Sequence, residues 1–184
     1  MFKPLPKDFF LSKFGLQVRL VTEEDTDFIL SLRTDEELAK NIHHTDNDIN
    51  KHLAWFKKYK QREAEGRDYY FIYFKNGKPI GVNRIYNIHE YYGTPGSWLC
   101  CRDNSPSDSL ATYFLGREIY FQILGLDLLV YDVRKANKKV WTMHKLLGAK
   151  LIGESEIDYY FSMNKVDYYA HRDKVLKMLN ININ

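Results

Sequence analysis

Two cysteines in 184 residues, adjacent at Cys100 and Cys101, exclude a disulfide framework. Neighbouring cysteines rarely bridge, so both read as small hydrophobes, one on each side of a strand. Proline is scarce at five residues, and no linker, repeat or low-complexity tract divides the chain. Long apolar runs are missing too. None approaches the roughly 20 residues of a membrane-spanning helix. The opening MFKPLPKDFFLSKFG lacks a signal-peptide core followed by a small-residue cleavage site. A cytoplasmic protein without membrane insertion is expected. Nor does one sign of charge dominate: 27 basic against 24 acidic side chains leave +3, with the lysines scattered, so no nucleic-acid partner is expected. The adjacent His43 and His44 do not share a ligand geometry and no Cys or carboxylate cluster joins them, so no metal is expected.

Aromatic residues are abundant instead, at 15%, within an apolar share of 45%. That is enough for a single sizeable core, and one domain over residues 1–184 is expected. LQVRLV alternates as a strand, and Thr22 caps a helix with acids in its first turn. A second helix starts near Asp46, carries Ile49, Leu53 and Phe56 in register and stops at Gly66, with His52 expected at the surface. Two β-rich runs meet at Lys75-Asn76-Gly77-Lys78, where Asn-Gly signals a hairpin. GSWLCC is a further strand, followed by a polar turn and an all-round apolar helix ending at Gly125. LDLLVYDV reads as a strand covered on both faces. A helix, a terminal hairpin and a closing helix at about 165–179 complete the order β α α β β β α β α β β α, a mixed α/β sheet with helices on both sides.

Two strand-to-helix turns stand out, since ligands of such sheets lie outside the carboxyl ends of the strands. The turn from Cys101 to Ser109 offers Ser105, Ser107 and Ser109 hydroxyls at a helix start, which suits a phosphate and equally suits ordinary capping. The turn from Arg134 to Asn137 opens the helix that ends at Gly148. On it Val140, Trp141, Leu147 and His144 share one face, so a titratable group is aimed inward. It reads either as a half-buried histidine bonded to a carbonyl or as a proton donor.

The run Asn137, Val140, His144, Gly148 resembles a signature of the GNAT acetyltransferase superfamily, in which an Asn begins a helix and a Gly eleven residues later ends it. The resemblance extends over about Val18 to Met163 in element order. It implies a mostly antiparallel twisted sheet with helices on both faces, and acetyl-CoA as acetyl donor. It further implies a donor site built from Leu99, Cys100, Cys101, Asn104, Ser105, Ser107, Asp108, Ser109, Leu110 and Asn137. Where the family has Gln/Arg-x-x-Gly-x-Gly/Ala, this chain has Asn104-Ser105-Pro106-Ser107-Asp108-Ser109, so serines replace both glycines and the Asp108 carboxylate must point away from phosphate. At His144 many family members carry a Tyr that protonates the leaving thiolate; an imidazole of ordinary pKa near 6.5 takes over that role.

For the amine, Glu90 and His89 are the candidate bases, with Arg84, Tyr91 and Trp98 beside them and His43 and His44 facing the same cleft. Several segments are similar to GNAT members that acetylate the amino group of a nucleotide-linked deoxysugar, with Tyr86, Tyr92 and the other aromatics stacking and Arg84 or Arg102 meeting a diphosphate. The alternatives are an N-terminal acetyltransferase of the ribosomal-protein type and a non-catalytic CoA-binding or protein-interaction module. Self-association as a homodimer is left open.

Overall fold

Alternation along Leu16–Leu20 puts Leu16, Val18 and Leu20 on one face, and all three are buried in the strand β2. The structure, a computed structural model, describes residues 4–178. A strand that the sequence pattern did not announce, β1 (Phe10–Lys13), pairs with β2 through the Phe14-Gly15 turn. Thr22 caps as expected, with a capping box to Asp25, first a short 3-10 turn and then α1 (Thr26–Thr34). A one-turn α2 (Glu36–Ala39) follows, capped by Asp35. The long helix α3 (Ile49–Ala64) starts two residues later than expected, because Asp48 Oδ1 accepts from the N–H groups of Asn50 and Lys51.

β3 (Tyr69–Lys75) and β4 (Lys78–Tyr86) form the expected hairpin, with φ of 51° at Asn76 and 76° at Gly77. Positive φ at both central residues is what a two-residue turn between twisted strands requires. β5 (Tyr92–Cys100) begins four residues before GSWLCC. Helix α4 (Pro106–Glu118) continues into a wider π turn at Ile119–Ile123, and Gly125 ends it. β6 (Leu128–Arg134), α5 (Lys138–Leu146), β7 (Lys150–Glu154), β8 (Asp158–Asn164) and α6 (Lys165–Met178) follow in the expected order. The expected last residue of α6, 179, lies outside the described residues.

The eight strands form one sheet in the order β1-β2-β3-β4-β5-β6-β8-β7, antiparallel except between β5 and β6. One face packs against α4 and α6, through Phe114, Leu115, Tyr168 and Leu176. The other packs against α1 and α3, through Ile29, Leu32, Phe56 and Tyr59. No helix among the described residues is long and apolar enough to cross a membrane.

Two local features position the site. β5 and β6 pair only at Tyr92–Leu128 and Gly93–Leu129 and then separate, so their carboxyl halves splay apart. In β5, Ser97 has a φ of 49° and the register against β4 shifts between Val82 and Arg84, so Ser97 and Trp98 together oppose Asn83. This bulge bends the strand away from its neighbour.

Candidate active site

The splay leaves a cavity of about 120 Å³ that is lined from both faces of the sheet. Pro95, Gly96 and Trp98 of β5 form one wall, and Tyr131, Asp132 and Val133 of β6 form the other. Because side chains alternate along a strand, buried Tyr131 looks to the α4 face and exposed Asp132 to the opposite one. The gap is therefore an aperture through the sheet.

His144 lines this aperture from α5 and is buried, as the amphipathic pattern of that helix requires. Its ring packs 4.7 Å from Tyr131 and 5.6 Å from Tyr113, and Nδ1 lies 3.0 Å from the Tyr113 hydroxyl. Its partner is thus a phenol rather than a carbonyl. Burial, and then the Arg117 guanidinium, hold the imidazole well below its ordinary value of 6.5. The expectation of an ordinary histidine is corrected: His144 is neutral at pH 7, with one N–H and one lone pair. Arg117 is itself buried, 4.5 Å from the Tyr113 ring and 5.8 Å from that of Tyr131. No carboxylate pairs with it among the described residues.

On the α4 side the aperture continues, past the shared residues Trp98 and Val140, into an apolar groove of about 500 Å³ between α4, α5 and α6, lined by Leu110, Met143 and Leu146 with Lys138 and Lys139 at its edge. Ser105 is the N-cap of α4; its Oγ accepts from Asp108 N–H and lies 3.0 Å from Ser107 Oγ. Asp108 is turned to Lys75 on the β3–β4 hairpin, 2.6 Å from Nζ. Burial opposes its ionisation, but the Lys75 and Ser105 bonds prevail and its pKa falls below the usual carboxylate value. The serine turn is thus a helix N-terminus whose first-turn carboxylate is already paired. Asn104 donates to Ile80 O, and Cys100 Sγ lies 3.4 Å from Thr112 Oγ1, so both are structural props of the turn. Cys101 falls just after β5 rather than within it. Leu99 belongs to the core against α1 and α3. Asn137 occupies the N-cap position of α5 but its side chain makes no capping bond, and it lines the aperture instead.

On the opposite face, Asn41 and Ile42 of the α2–α3 connection reach the aperture, and residues 44–46 of that connection roof a neighbouring cavity of about 260 Å³. His44 and Arg84 line it, as do Arg33, His52, Trp55 and Tyr70. His52 is corrected from surface to buried, since α3 turns it inward beside Trp55. Arg84 is bonded to Asp68 through Nε (2.7 Å) and Nη2 and sits over the rings of Trp55 and Tyr86. Arg102 is occupied by Asp35, whose carboxyl it draws down to about 2.

Glu90, His89 and Tyr91 are not brought to the site. They lie in the β4–β5 turn at the closed end of the splay, where Tyr91 O accepts from Asp127 and Leu128 N–H and the His89 ring stacks on Tyr92. Tyr92 and Trp98 are six residues apart on one strand, roughly 20 Å. His43 lines none of the three cavities. The carboxylate that does reach the aperture is Asp132, which has no ion-pair partner among the described residues. Burial and then the Asp132 charge raise Tyr86, so the two are neighbours. Alternation within LDLLVYDV, with one acid opposite the buried tyrosine, is the sequence signal that could have found it.

No protein-family description and no curated protein matches the sequence. Solved structures do. The chain is similar to the apo form of FdhC, a nucleotide-linked sugar GNAT, at 31% identity and a TM-score of 0.80, over 91% of this chain and 97% of that one. Its fold is also like that of Mycobacterium smegmatis RimJ in complex with CoA-disulfide, at 13% identity and a TM-score of 0.73, over 94% and 93%. Campylobacter jejuni N-acetyltransferase PseH in complex with acetyl coenzyme A shares it at 19% identity and a TM-score of 0.61, over 80% and 99%.

Proposed function

This chain belongs to the GNAT acetyltransferases, and on that premise we propose that it moves an acetyl group from acetyl-CoA to the primary amine of a nucleotide-linked amino-deoxysugar. The observation that carries the reading is the aperture between β5 and β6, which presents a buried imidazole from one face and an unpaired carboxylate from the other. The likeness to FdhC supports the sugar-nucleotide acceptor.

The residues present fit the donor. Beyond Gly93 the facing edges of β5 and β6 lack a ladder partner, so they can accept an extended amide chain as an added strand would be accepted. The apolar groove covers its methylenes. Ser105 and Ser107 at the α4 N-terminus, with Lys138 and Lys139 across the groove, suit its phosphates. When bound, acetyl-CoA supplies a thioester whose acetyl group passes to nitrogen as the sulfur leaves as a thiol.

Asp132 holds the substrate ammonium at the aperture and takes one of its protons, because only the free amine has a nucleophilic lone pair. His144 gives the proton that the leaving sulfur needs. A neutral imidazole passes a proton on: one ring nitrogen donates while the other receives from the Tyr113 hydroxyl at 3.0 Å. Burial raises the Tyr113 phenol above its ordinary value and Arg117 over its ring opposes that rise, so the phenol is restored by the second proton that the nitrogen sheds as the amide forms.

The deciding experiment measures turnover of acetyl-CoA against dTDP- and UDP-linked aminosugars, spermidine and N-terminal peptides. The sugar nucleotides are expected to give the highest kcat/KM. Turnover confined to peptides or polyamines would replace the acceptor, and turnover of none, with acetyl-CoA bound, would leave a binding module.

A further inference from the structure

We propose, resting on the nucleotide-linked acceptor inferred above, that the cavity between α1, α3 and the β3–β4 strands seats a diphosphate. Three polar groups converge on it without the partners that their surroundings call for. Arg33 donates from Nε to Thr45 Oγ1 at 2.8 Å and from Nη1 to Ser97 Oγ at 3.1 Å, both neutral oxygens, and no carboxylate pairs with it among the described residues. Tyr70 and His52 line the same cavity, and the Tyr70 hydroxyl and His52 Nε2 are buried with no partner other than the Arg33 guanidinium, which lies near enough to Tyr70 to oppose the rise that burial gives its phenol. A buried polar group left unpaired is costly, and the Tyr70 hydroxyl donor beside an uncompensated guanidinium describes a place for an acceptor-rich anion.

The remaining charges fit. Lys51 is held by Asp46 at 2.7 Å and Arg84 by Asp68, so these cations are positioned without repelling Arg33. The Asp46 carboxylate also lines the cavity, its charge met by Lys51 at 2.7 Å with His44 3.4 Å away. A stacked base is a poorer occupant, because Trp55 is covered by Tyr59, stacked at 5.4 Å, and by Arg84 at 5.2 Å. A diphosphate needs donors rather than an open ring face.

The cavity adjoins the aperture. Ser97, which Arg33 bonds, is flanked by Gly96 and Trp98 of the aperture wall, and the α2–α3 connection lines the aperture with Asn41 and Ile42 and this cavity with His44, Thr45 and Asp46. An acceptor with its anion here would place an amine beside Asp132. Acceptors without an anion, such as spermidine, would forgo this contact.

The test is calorimetric titration of the full chain, saturated with CoA so that the donor groove is filled, with UDP, uridine and inorganic pyrophosphate. UDP is expected to bind, pyrophosphate to displace it and uridine to bind far more weakly. Arg33→Gln and Tyr70→Phe are each expected to weaken UDP at least about tenfold while CoA affinity is kept. Arg33→Lys, which retains the charge, should fall between. Should Arg33→Gln not fold, Tyr70→Phe and His52→Gln carry the comparison. Uridine binding as tightly as UDP, or UDP indifferent to all of these changes, overturns the assignment. Failure of CoA to bind counts against the transferase reading alone, because the same titrations without CoA still report on this cavity.

Discussion

At the scale of single residues, the consequential finding is a histidine whose surroundings keep it uncharged. The folded-state pKa of His144 lies well below the unfolded 6.5, through burial and Arg117, so the unfolded chain binds the proton first. Its contribution to stability is complete above about pH 6.5 and is lost as the pH falls towards the folded-state value. His52 is depressed in the same direction by burial and Arg33 and adds to the effect. The melting temperature is therefore expected to drop between pH 7 and 5, and to drop less in His144→Gln, which retains only the His52 share. Equal drops would show that His144 titrates normally. Asp132→Asn is expected to lower kcat/KM for the amine by about a hundredfold or more at pH 7 with acetyl-CoA binding unchanged. The loss should shrink at alkaline pH, where the amine is neutral without help; a constant loss across pH would give Asp132 a positioning role only. His144 is legible from its place on an amphipathic stripe, whereas Glu90 and His89 stand out only because their loop is rich in His, Glu and Tyr. What the loop composition cannot convey is that its strand reaches the site only at Pro95, five residues after Glu90.

Elements were legible where local chemistry decides them. Asn76-Gly77, the Thr22 capping box and the Gly148 stop, with φ of 87°, each satisfy a backbone demand that the sequence states outright. The β5 bulge and the π turn after α4 were not legible, since each is one residue of misfit against a neighbouring element rather than a local preference. The α4 N-terminus lies between these cases. Its serines were visible, but the partner that makes Asp108 tolerable there, Lys75, sits on a hairpin 33 residues away. Removing that lysine with Lys75→Met should leave an uncompensated carboxylate in the first turn and raise the KM for acetyl-CoA several-fold, more at low ionic strength than at high. A KM unaffected at either ionic strength would place the phosphates elsewhere.

For the whole molecule, the sheet consists of a five-stranded part, β1 to β5, and a three-stranded part, β6-β8-β7, joined through two residue pairs. The mixed sheet with helices on both faces followed from the sequence because apolar periodicity marks the elements, while the splay depends on the angle at which two buried strands part. A donor bridging the parted edges should stabilise both halves together: acetyl-CoA at a hundred times its Kd is expected to add about 2.7 kcal/mol. Slowed hydrogen exchange should appear at the β5 and β6 amides beyond Gly93. Stabilisation without that local protection would mean that the donor binds outside the splay.

The opening through the sheet also fixes the order of kinetic events. Its two faces carry different groups, buried His144 and Tyr113 on one and exposed Asp132 on the other, so direct transfer across it brings the two reactants together. Both reactants must then be present at once, one from each side. Double-reciprocal plots should intersect rather than run parallel, and an inhibitor that covalently joins the two substrates would have to thread the sheet to bind.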